Sequence, residues 1–475
     1  MNTERVLTYF SELSCIPRLS GEEGQIADYL EARGRKMNLE VHRDAANNVI
    51  LKKKGSRDNG PCVVLQSHSD MVFETTDDEW KGERVPKGIH IDNGKMKACG
   101  TTLGADNGIG MALMLALLEE EEAGFPKIEA LFSANEEETM GGAYALKEDD
   151  LIGSCLINLD SEEEGVFTIG AAGGISVACT VPAKRRKTHF LNGLSIRVTG
   201  GLGGHSGLEI HRKRENAIQL LVRILQSLPK EDFELSFLQG GTRSNAIPEC
   251  AEAKINTEQV NELQQKVKDF YEFCRCEWSD EEINLTIEAE VIPANERVYE
   301  EPERLLVFLE SLPHGVYSRT HETIFSSINL ALLKEVEDEI FVELTLRSSY
   351  KSWYRDEAKR IGRLATSFGG HSEERDEYPA WMCQKNSELL NCFQKSYREL
   401  FRRDAISENI HAGVECGIIM ENCPSIADAI SIGPTIHGAH TVNEELDIES
   451  VYRVYLLLKN VLRKLNREGD LSNEK

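Results

Sequence analysis

The chain has 475 residues, of which 40% are hydrophobic and 28% charged, a composition typical of a soluble globular protein. Its formal net charge of −26 argues against nucleic acid or an anionic membrane as a partner. The sequence contains no run of 18 apolar residues that could span a membrane, and its N-terminal residues MNTERVLTYF lack the pattern of a secretory signal.

The length of the chain indicates the number of domains, and its cysteine pattern indicates the cellular compartment. A chain of 475 residues is too long for one ordinary core, which predicts two domains. The 12 cysteines form no CxxC pair, and a chain of this size without a secretory signal rarely depends on disulfides. We therefore predict reduced thiols and a cytoplasmic location.

Residues 3–183 alternate between helical and strand-like patterns, which predicts an α/β sheet with parallel strands. The predicted elements of this part are helices over 24–37 and 108–121, and strands over 48–53, 62–66, 128–133 and 155–159. In such sheets, ligands gather beyond the carboxyl ends of the strands. Polar residues that directly follow these strands are therefore the first candidates for a functional site.

A basic turn over 182–187 separates this part from a second set of elements. The elements predicted beyond it are strands over 193–199, 250–256, 284–292 and 340–346, and helices over 216–226 and 260–274. The C-terminal part is predicted to contain a helix over 386–401, a strand over 426–432 and a last helix over 448–465. No internal repeat stands out.

Five residues able to bind metal occur along the chain, most of them just past a predicted strand or in a glycine-rich turn: His68, Asp106, Glu137, Asp160 and His440. Two imidazoles and three carboxylates are enough to hold a pair of zinc-type ions, with one carboxylate as a bridge. Asp70 and Glu136 add two carboxylates beside them. Because the set resumes at His440, we predict one catalytic domain, residues 1–186 and 382–475, into which residues 187–381 are inserted.

Each of these residues alone also has an ordinary structural explanation. His68 could be a surface histidine paired with a neighbouring acid, and residues 136–138 could form a solvated acidic turn. Asp106 and Asp160 could be loop or capping residues. The occurrence of four of the five in one α/β unit favours the metal site.

Five segments carry a resemblance to a known family: HSDMV, GTTLGADNGIG, NEE followed after three residues by GG, INLDSEEEG and GPTIHGAH. They resemble the two-zinc peptidase family of carboxypeptidase G, aminoacylase and carnosinase. The segments 169–174, 203–207, 245–248 and 410–417 are similar to its cytosolic aminoacyl-histidine dipeptidase branch. The similarity covers about residues 5–460. It implies a zinc-peptidase catalytic domain, α/β with a mixed, largely parallel sheet flanked by helices, and an inserted α+β lid domain over 187–381.

The resemblance also implies roles for the metal residues. Asp106 would bridge the two ions, His68 and Asp160 would hold one of them, and Glu137 and His440 the other. Asp70 would orient His68, and Glu136 would be the general base acting on a metal-bridging water. Members of the family tend to have a cis peptide after the bridging aspartate. The expected cofactors are two divalent ions, with zinc first and manganese or cobalt as alternatives.

On the substrate side, the resemblance points to His205 for the tetrahedral intermediate, Asn245 for the substrate and Arg347 for its carboxylate. The alternatives are a surface histidine in a glycine turn, a loop asparagine and a strand-end arginine. The chain departs from the family pattern in the charged run 211–215 and at Ala171, which makes the substrate preference less certain than hydrolysis.

The sequence therefore predicts a cytoplasmic metallopeptidase that hydrolyses unblocked dipeptides, with the Xaa-His type favoured. An aminotripeptidase or an N-acyl amino acid deacylase of the same fold is the alternative among enzymes. A non-catalytic metal-binding scaffold is the alternative from another class. The expected partner is a small peptide, with no nucleic acid and no membrane, and a homodimer is left open.

Overall fold

The computed structural model describes residues 3–77, 79–121, 124–321, 323–382, 384 and 386–468. The helices are α1 (Thr3–Leu13), α2 (Gly24–Lys36), α3 (Ala105–Glu119), α4 (Glu136–Thr139), α5 (Gly141–Ala145), α6 (Ala217–Ser227), α7 (Val260–Cys274), α8 (Pro302–Glu310), α9 (Lys351–Ser367), α10 (Glu388–Phe401), α11 (Glu415–Asn422) and α12 (Ile448–Glu468).

The strands are β1 (Glu40–Arg43), β2 (Val49–Lys53), β3 (Cys62–His68), β4 (His90–Asp92), β5 (Lys95–Lys97), β6 (Lys127–Ser133), β7 (Cys155–Asn158), β8 (Val166–Ala171), β9 (Gly173–Pro182), β10 (Arg185–Lys187), β11 (Asn192–Thr199), β12 (Glu234–Gly240), β13 (Ala251–Asn256), β14 (Thr286–Pro293), β15 (Arg297–Tyr299), β16 (Gly315–Arg319), β17 (Ile324–Val336), β18 (Glu339–Ser348), β19 (His371–Tyr378), β20 (Ile406–Ile410), β21 (Asp428–Ser431), β22 (Ile436–His437) and β23 (Glu445–Asp447).

The chain forms two compact units. The first comprises Met1–Gly170, Trp381–Asn409 and Val414–Lys475, and the second comprises Ala171–Ala380 and Ile410–Gly413. The first boundary thus differs from the one placed after residue 186 on the sequence. The reason is that β9 pairs along its length with β18 and with β19, so this strand belongs to the second unit.

The first unit is built on an eight-stranded mixed sheet with the strand order β1-β2-β6-β3-β7-β21-β8-β20. The four strands β6, β3, β7 and β21 run parallel to one another, whereas β2 and β8 on either side of them are antiparallel. Carboxyl ends of parallel strands meet at one edge of a sheet. Residues that follow β3, β6 and β7 are thereby brought together.

Helix α3 forms the centre of the core of this unit. Residues 107–118 are all buried, and several of them, Leu113 among them, are completely enclosed. A helix that is apolar all round is stable only when other elements cover every face. Helices α1 and α12 and strand β3 pack against α3 and provide this cover.

The second unit contains the same connectivity twice. Strands and helices β11-α6-β12-β13-α7-β14 form four strands in the order β14-β11-β13-β12. Elements β9-α8-β17-β18-α9-β19 form four strands in the order β17-β18-β9-β19, which is the same arrangement read from the other side. Pairing of β12 with β17 joins the two halves into one sheet. This repeat is not visible in the sequence.

The predicted elements occur in the structure, several with small shifts. Helix α7 has the predicted bounds, whereas α3 begins at Ala105, three residues before the predicted start. The sequence did not predict helices α1, α4, α5, α8, α9 and α11, strands β1, β8, β9, β12, β17, β19 and β20, or the short strands β4, β5, β10, β15, β16, β22 and β23. The fold class, a mixed and largely parallel α/β sheet flanked by helices, is confirmed for the first unit.

Two absences hold for the described part of the chain. None of its helices combines the length and the apolar character that crossing a membrane requires. None of the described cysteines forms a disulfide.

Leu113→Ala tests the role of α3 as the centre of the core. We expect a loss of about 2–5 kcal/mol in the free energy of unfolding, because the deletion leaves a cavity in a fully enclosed site. Urea denaturation followed by far-UV circular dichroism measures the loss. Leu400→Ala is the control, since Leu400 in α10 is 37% exposed and should lose far less. Equal losses in both variants would contradict this account of the core.

Candidate metal centre and substrate-binding residues

The predicted metal residues lie at the edge of the sheet where the parallel strands end. His68 is the last residue of β3, Asp160 lies two residues beyond β7, and Glu137 lies in α4 just after β6. Asp106 is in the first turn of α3, and the loop between β22 and β23 carries His440. Residues that are far apart in the chain therefore converge within the first unit.

Their side-chain atoms form two groups that share one carboxylate. Around His68 Nε2, Asp106 Oδ1 lies at 3.0 Å and Asp160 Oδ1 at 3.2 Å. Around His440 Nε2, Asp106 Oδ2 lies at 3.0 Å and Glu137 Oε1 at 2.9 Å. Each group offers one imidazole nitrogen and two carboxylate oxygens, and Asp106 contributes one oxygen to each.

The donor set fits two divalent cations. One nitrogen and two carboxylate oxygens per group are ligands that zinc, manganese and cobalt accept. Buried carboxylates also need compensation by positive charge. Hydrogen bonds that His440 donates to the carboxylates of Asp106 and Glu137 raise the pKa of His440 to about 11, which reflects the density of negative charge here. A pair of cations would provide the same compensation.

Asp70 connects the first ligand to the segment that carries Glu136. Its Oδ1 lies 3.4 Å from His68 Nδ1 and accepts the backbone N–H of Glu136 at 3.0 Å. Its Oδ2 accepts the N–H of Glu137 at 3.1 Å and the hydroxyl of Ser20 at 2.7 Å. Burial opposes ionisation, but these interactions outweigh it and lower the pKa of Asp70 to about 2. Asp70 thus stays ionised and orients both a ligand and the start of α4.

Glu444 holds the backbone that carries Asp106. Its carboxylate is 3% exposed and accepts four consecutive backbone N–H groups, those of residues 103–106, at 2.7–3.2 Å. Such groups at the start of a helix have no partner within the helix. The peptide bond between Asp106 and Asn107 is cis, as the family resemblance implies. Sequence reasoning missed Glu444, although it lies only four residues after His440.

Arg18 is a fully buried cation beneath the same loops. Its guanidinium donates to the carbonyl oxygens of Ser69, Asp70 and Gly104 at 3.2, 2.7 and 2.6 Å. Burial lowers the pKa of Arg18 to about 10, so it remains charged at neutral pH. A Cβ atom on Gly104, where φ is +67°, would come within 2.8 Å of this guanidinium. The motif GTTLGADNGIG therefore needs glycine here for two independent reasons.

A layer of buried polar side chains lies beneath the candidate ligands. Glu415 Oε2 accepts from Gln66 Nε2 at 2.6 Å and from Ser133 Oγ at 2.7 Å, and Gln66 in turn accepts from Asn158. Gln66 precedes His68 by two residues on β3, and Asn158 precedes Asp160 by two. Burial raises the pKa of Glu415 to about 8. This network ties together the strands that carry the ligands.

The three predicted substrate residues all lie in the second unit. His205 Nδ1 accepts the backbone N–H of Gly207 at 3.3 Å and of Leu208 at 3.1 Å. Burial and the nearby Arg347 cation lower the pKa of His205 to about 4, so the imidazole is neutral at neutral pH. A neutral imidazole with Nδ1 as acceptor carries its proton on Nε2. His205 is therefore a hydrogen-bond donor through Nε2.

The loop that contains Asn245 lies against the strand that carries Arg347. Thr345 lies on β18, two residues before Arg347. Its Oγ1 donates to the carbonyl oxygen of Ser244 at 2.7 Å. The backbone carbonyl of Asn245 accepts the N–H of Ser206 at 2.8 Å, which links this loop to the His205 turn. Arg347 is 7% exposed, whereas Asn245 is exposed. The structure thus brings these elements together within one unit.

The fold and this centre are those of a co-catalytic metallopeptidase. The profile of Peptidase family M20/M25/M40 matches residues 64–464, and the chain belongs to this family. It is 33% identical over 472 residues to the cytosol non-specific dipeptidase of Escherichia coli (strain K12), covering 96% of each chain.

Solved structures give the same result. The aminoacylhistidine dipeptidase from Vibrio alginolyticus superposes with a TM-score of 0.86 at 30% identity, covering 97% of this chain and 96% of that one. Human carnosine dipeptidase 1 superposes with a TM-score of 0.53 at 12% identity, covering 98% of this chain and 96% of that one, which shows the common fold. The predicted family, and a metal-dependent dipeptidase as the class of enzyme, are confirmed.

Glu444→Ala tests the support of the Asp106 loop. Removing an acceptor of four N–H groups should weaken metal binding by about 10- to 100-fold, because residues that orient ligands typically contribute that much. Isothermal titration of the metal-free protein with Zn²⁺ measures the affinity. Glu445→Ala is the matched control, since Glu445 pairs with Lys95 and Lys97. Unchanged affinity in Glu444→Ala would contradict the role of this carboxylate.

Proposed function

We propose that this enzyme hydrolyses unblocked dipeptides, with a preference for the Xaa-His type, and that His68, Asp106, Glu137, Asp160 and His440 hold two divalent ions. Zinc is the first choice of ion, and manganese or cobalt fits the same donors. The observation that carries the proposal is the shared carboxylate of Asp106, whose two oxygens face different histidines 3.0 Å away. When bound, the ions supply Lewis acidity that polarises the scissile carbonyl and acidifies a water.

Glu136 is the general base of this mechanism. It takes a proton from the attacking water and passes it to the leaving amine. Its backbone N–H donates to Asp70, and its neighbour Glu137 belongs to the proposed ligand set, which supports a position of Glu136 beside the ligands. Burial raises the pKa of Glu136 well above the usual range, with contributions from Asp160 and Glu415, and His68 opposes this.

Residues of the second unit bind the substrate. His205 donates through Nε2 to the oxyanion of the tetrahedral intermediate, a role that suits a neutral imidazole whose Nδ1 is already engaged. Arg347 binds the terminal carboxylate, because a planar guanidinium gives two parallel hydrogen bonds to such a group. Asn245, which is exposed, contacts the peptide through its side-chain amide.

Substrate preference and location follow from the relatives by analogy. The Vibrio alginolyticus relative is an aminoacylhistidine dipeptidase, and the Escherichia coli relative is a cytosolic dipeptidase without narrow specificity. These names support free dipeptides as substrates and a cytoplasmic location. A small peptide is then the partner, nucleic acid and membrane are not, and a homodimer stays a prediction.

Glu136→Gln tests the general base. The substitution removes the proton acceptor without removing a ligand, so kcat should fall by about 100- to 10 000-fold while both ions remain bound. Steady-state hydrolysis of alanyl-histidine and metal analysis of the same samples give the two values. Glu138→Gln is the matched control, since Glu138 is exposed on the same helix and should leave kcat unchanged. Retained activity in Glu136→Gln would exclude Glu136 as the base.

Metal removal and a substrate panel test the reaction itself. We expect a chelator to abolish hydrolysis and Zn²⁺, Mn²⁺ or Co²⁺ to restore it, because the carbonyl then regains its Lewis acid. The panel comprises alanyl-histidine, β-alanyl-histidine, leucyl-glycine, a tripeptide and an N-acetylated amino acid. Turnover restricted to the tripeptide or the acetylated substrate would contradict the proposed dipeptidase, and chelator-resistant turnover would contradict the metal centre.

A further inference from the structure

Arg347 is a buried cation without a counter-charge. It is 7% exposed, and its Nε has no hydrogen-bond partner. In the ranges of the chain that the structure describes, its guanidinium donates to the hydroxyl of Tyr378 and pairs with no carboxylate. Leaving a buried charge unpaired costs several kcal/mol. An anionic group of a ligand is therefore the expected counter-charge.

The histidines near Arg347 add no charge of their own at neutral pH. Burial, with Arg347 acting in the same direction, lowers the pKa of His205 to about 4 and that of His411 to about 3. Both imidazoles are consequently neutral at neutral pH. His411 Nε2 is 2.7 Å from Ser327 Oγ, and Ser327 is the cross-strand neighbour of Arg347 on β17. The surroundings of Arg347 are thus polar and uncharged.

The strand register explains why Tyr378 reaches Arg347. Tyr378 on β19 pairs with Gly174 on β9, and Gly174 pairs with Arg347 on β18, so the three residues form a row across the sheet. A Cβ atom on Gly174 would lie 2.5 Å from the Tyr378 hydroxyl oxygen. The absence of a side chain at residue 174 therefore leaves the path across β9 open.

A second glycine encloses the aromatic ring. A Cβ atom on Gly413 would lie 2.7 Å from Cε2 of Tyr378. Gly413 and His411 belong to the same short segment, Ile410–Gly413, which joins the second unit. The ring therefore occupies a slot between two glycines, and this slot directs the hydroxyl towards the guanidinium.

The hydroxyl of Tyr378 retains a free donor. Its oxygen accepts a hydrogen bond from Arg347 Nη1, and within the described residues its own proton has no acceptor. A phenol can donate and accept at the same time. Burial raises the pKa of Tyr378, so the group remains protonated at neutral pH. Within the described residues, an O–H donor without an acceptor thus lies beside a guanidinium without a carboxylate partner.

We propose that Tyr378 and Arg347 together bind the terminal carboxylate of the substrate, with the Tyr378 hydroxyl donating the second hydrogen bond. Tyr378 is then a specificity-determining residue, which favours peptides with a free C-terminus over their amides. The proposal rests on the proposed function, since it extends the role of Arg347 in binding a peptide. It requires that loss of the hydroxyl weakens binding of a carboxylate but not of a carboxamide.

The experiment compares alanyl-histidine with alanyl-histidinamide in a Glu136→Gln background, where the peptides stay intact. Calorimetry gives the Kd of each ligand for the metal-loaded protein with and without Tyr378→Phe. We expect the Kd of the acid to rise by about 10- to 100-fold, as for the loss of a hydrogen bond to a charged group, and that of the amide to stay within about threefold. In the enzyme with Glu136 intact, KM for the acid should rise with kcat unchanged.

The matched control is Tyr397→Phe. The Tyr397 hydroxyl also forms a buried, charge-assisted hydrogen bond, donated to Glu164 at 2.7 Å, and an arginine, Arg403, lies over its ring. This variant should leave the ratio of the two Kd values unchanged. Gly174→Ala, which places a methyl group 2.5 Å from the Tyr378 hydroxyl, should reproduce the loss for the acid.

Three outcomes would overturn the proposal. They are equal losses for acid and amide in Tyr378→Phe, no loss for either ligand, and the absence of preference for the acid when Tyr378 is present. Failure of the proposed function would be recognised separately, since wild-type enzyme would then hydrolyse no dipeptide whatever the acid-to-amide ratio.

Discussion

Mutual repulsion of carboxylates at the end of four parallel strands is the constraint on which the first unit is built. Asp106, Glu137 and Asp160 are brought there with Asp70 and Glu136; Asp70 is fully buried and the other four are partly shielded from water. Such a group is stable only if positive charge or N–H donors face every oxygen. Two imidazoles, the buried Arg18 and a series of backbone N–H groups provide part of this compensation, and the two cations of the proposed function would complete it.

The need to compensate the carboxylate charges also explains why segments far apart in the chain meet at this site. The loop between β22 and β23 carries His440, and Glu444 near its end accepts the N–H groups ahead of Asp106. One segment therefore supplies a ligand and at the same time orients the bridging carboxylate. Asp70 does the same on the other side, where it contacts His68 and holds the start of α4. In both cases a candidate ligand and a carboxylate that orients another part of the site lie within four residues of each other: His440 with Glu444, and His68 with Asp70.

The cluster of candidate ligands could be predicted from the sequence because its signal is local. A polar residue directly after an apolar strand is visible in the one-dimensional pattern, and strand ends gather at one edge of the sheet. Arg18 and Glu444 gave no such signal, because both act on backbone atoms that any residue could provide. The repeat in the second unit was equally invisible, since it is shared in connectivity and not in sequence. The boundary near residue 170 depends on the pairing partners of β9, which periodicity does not reveal.

The charge balance around Arg347 in the second unit is the opposite of that around the candidate metal centre. Around the metal centre, anionic side chains are compensated as far as the chain allows, whereas Arg347 is buried among neutral groups and keeps an uncompensated charge. Such an arrangement destabilises the free protein and is satisfied only by an anionic ligand group. A site built on unpaired polar groups discriminates strongly against ligands that cannot pair with them, because a wrong ligand keeps the penalty of burial in place. The proposed preference for a free carboxylate would therefore arise from the cost of an unsatisfied guanidinium as much as from the hydrogen bonds it forms.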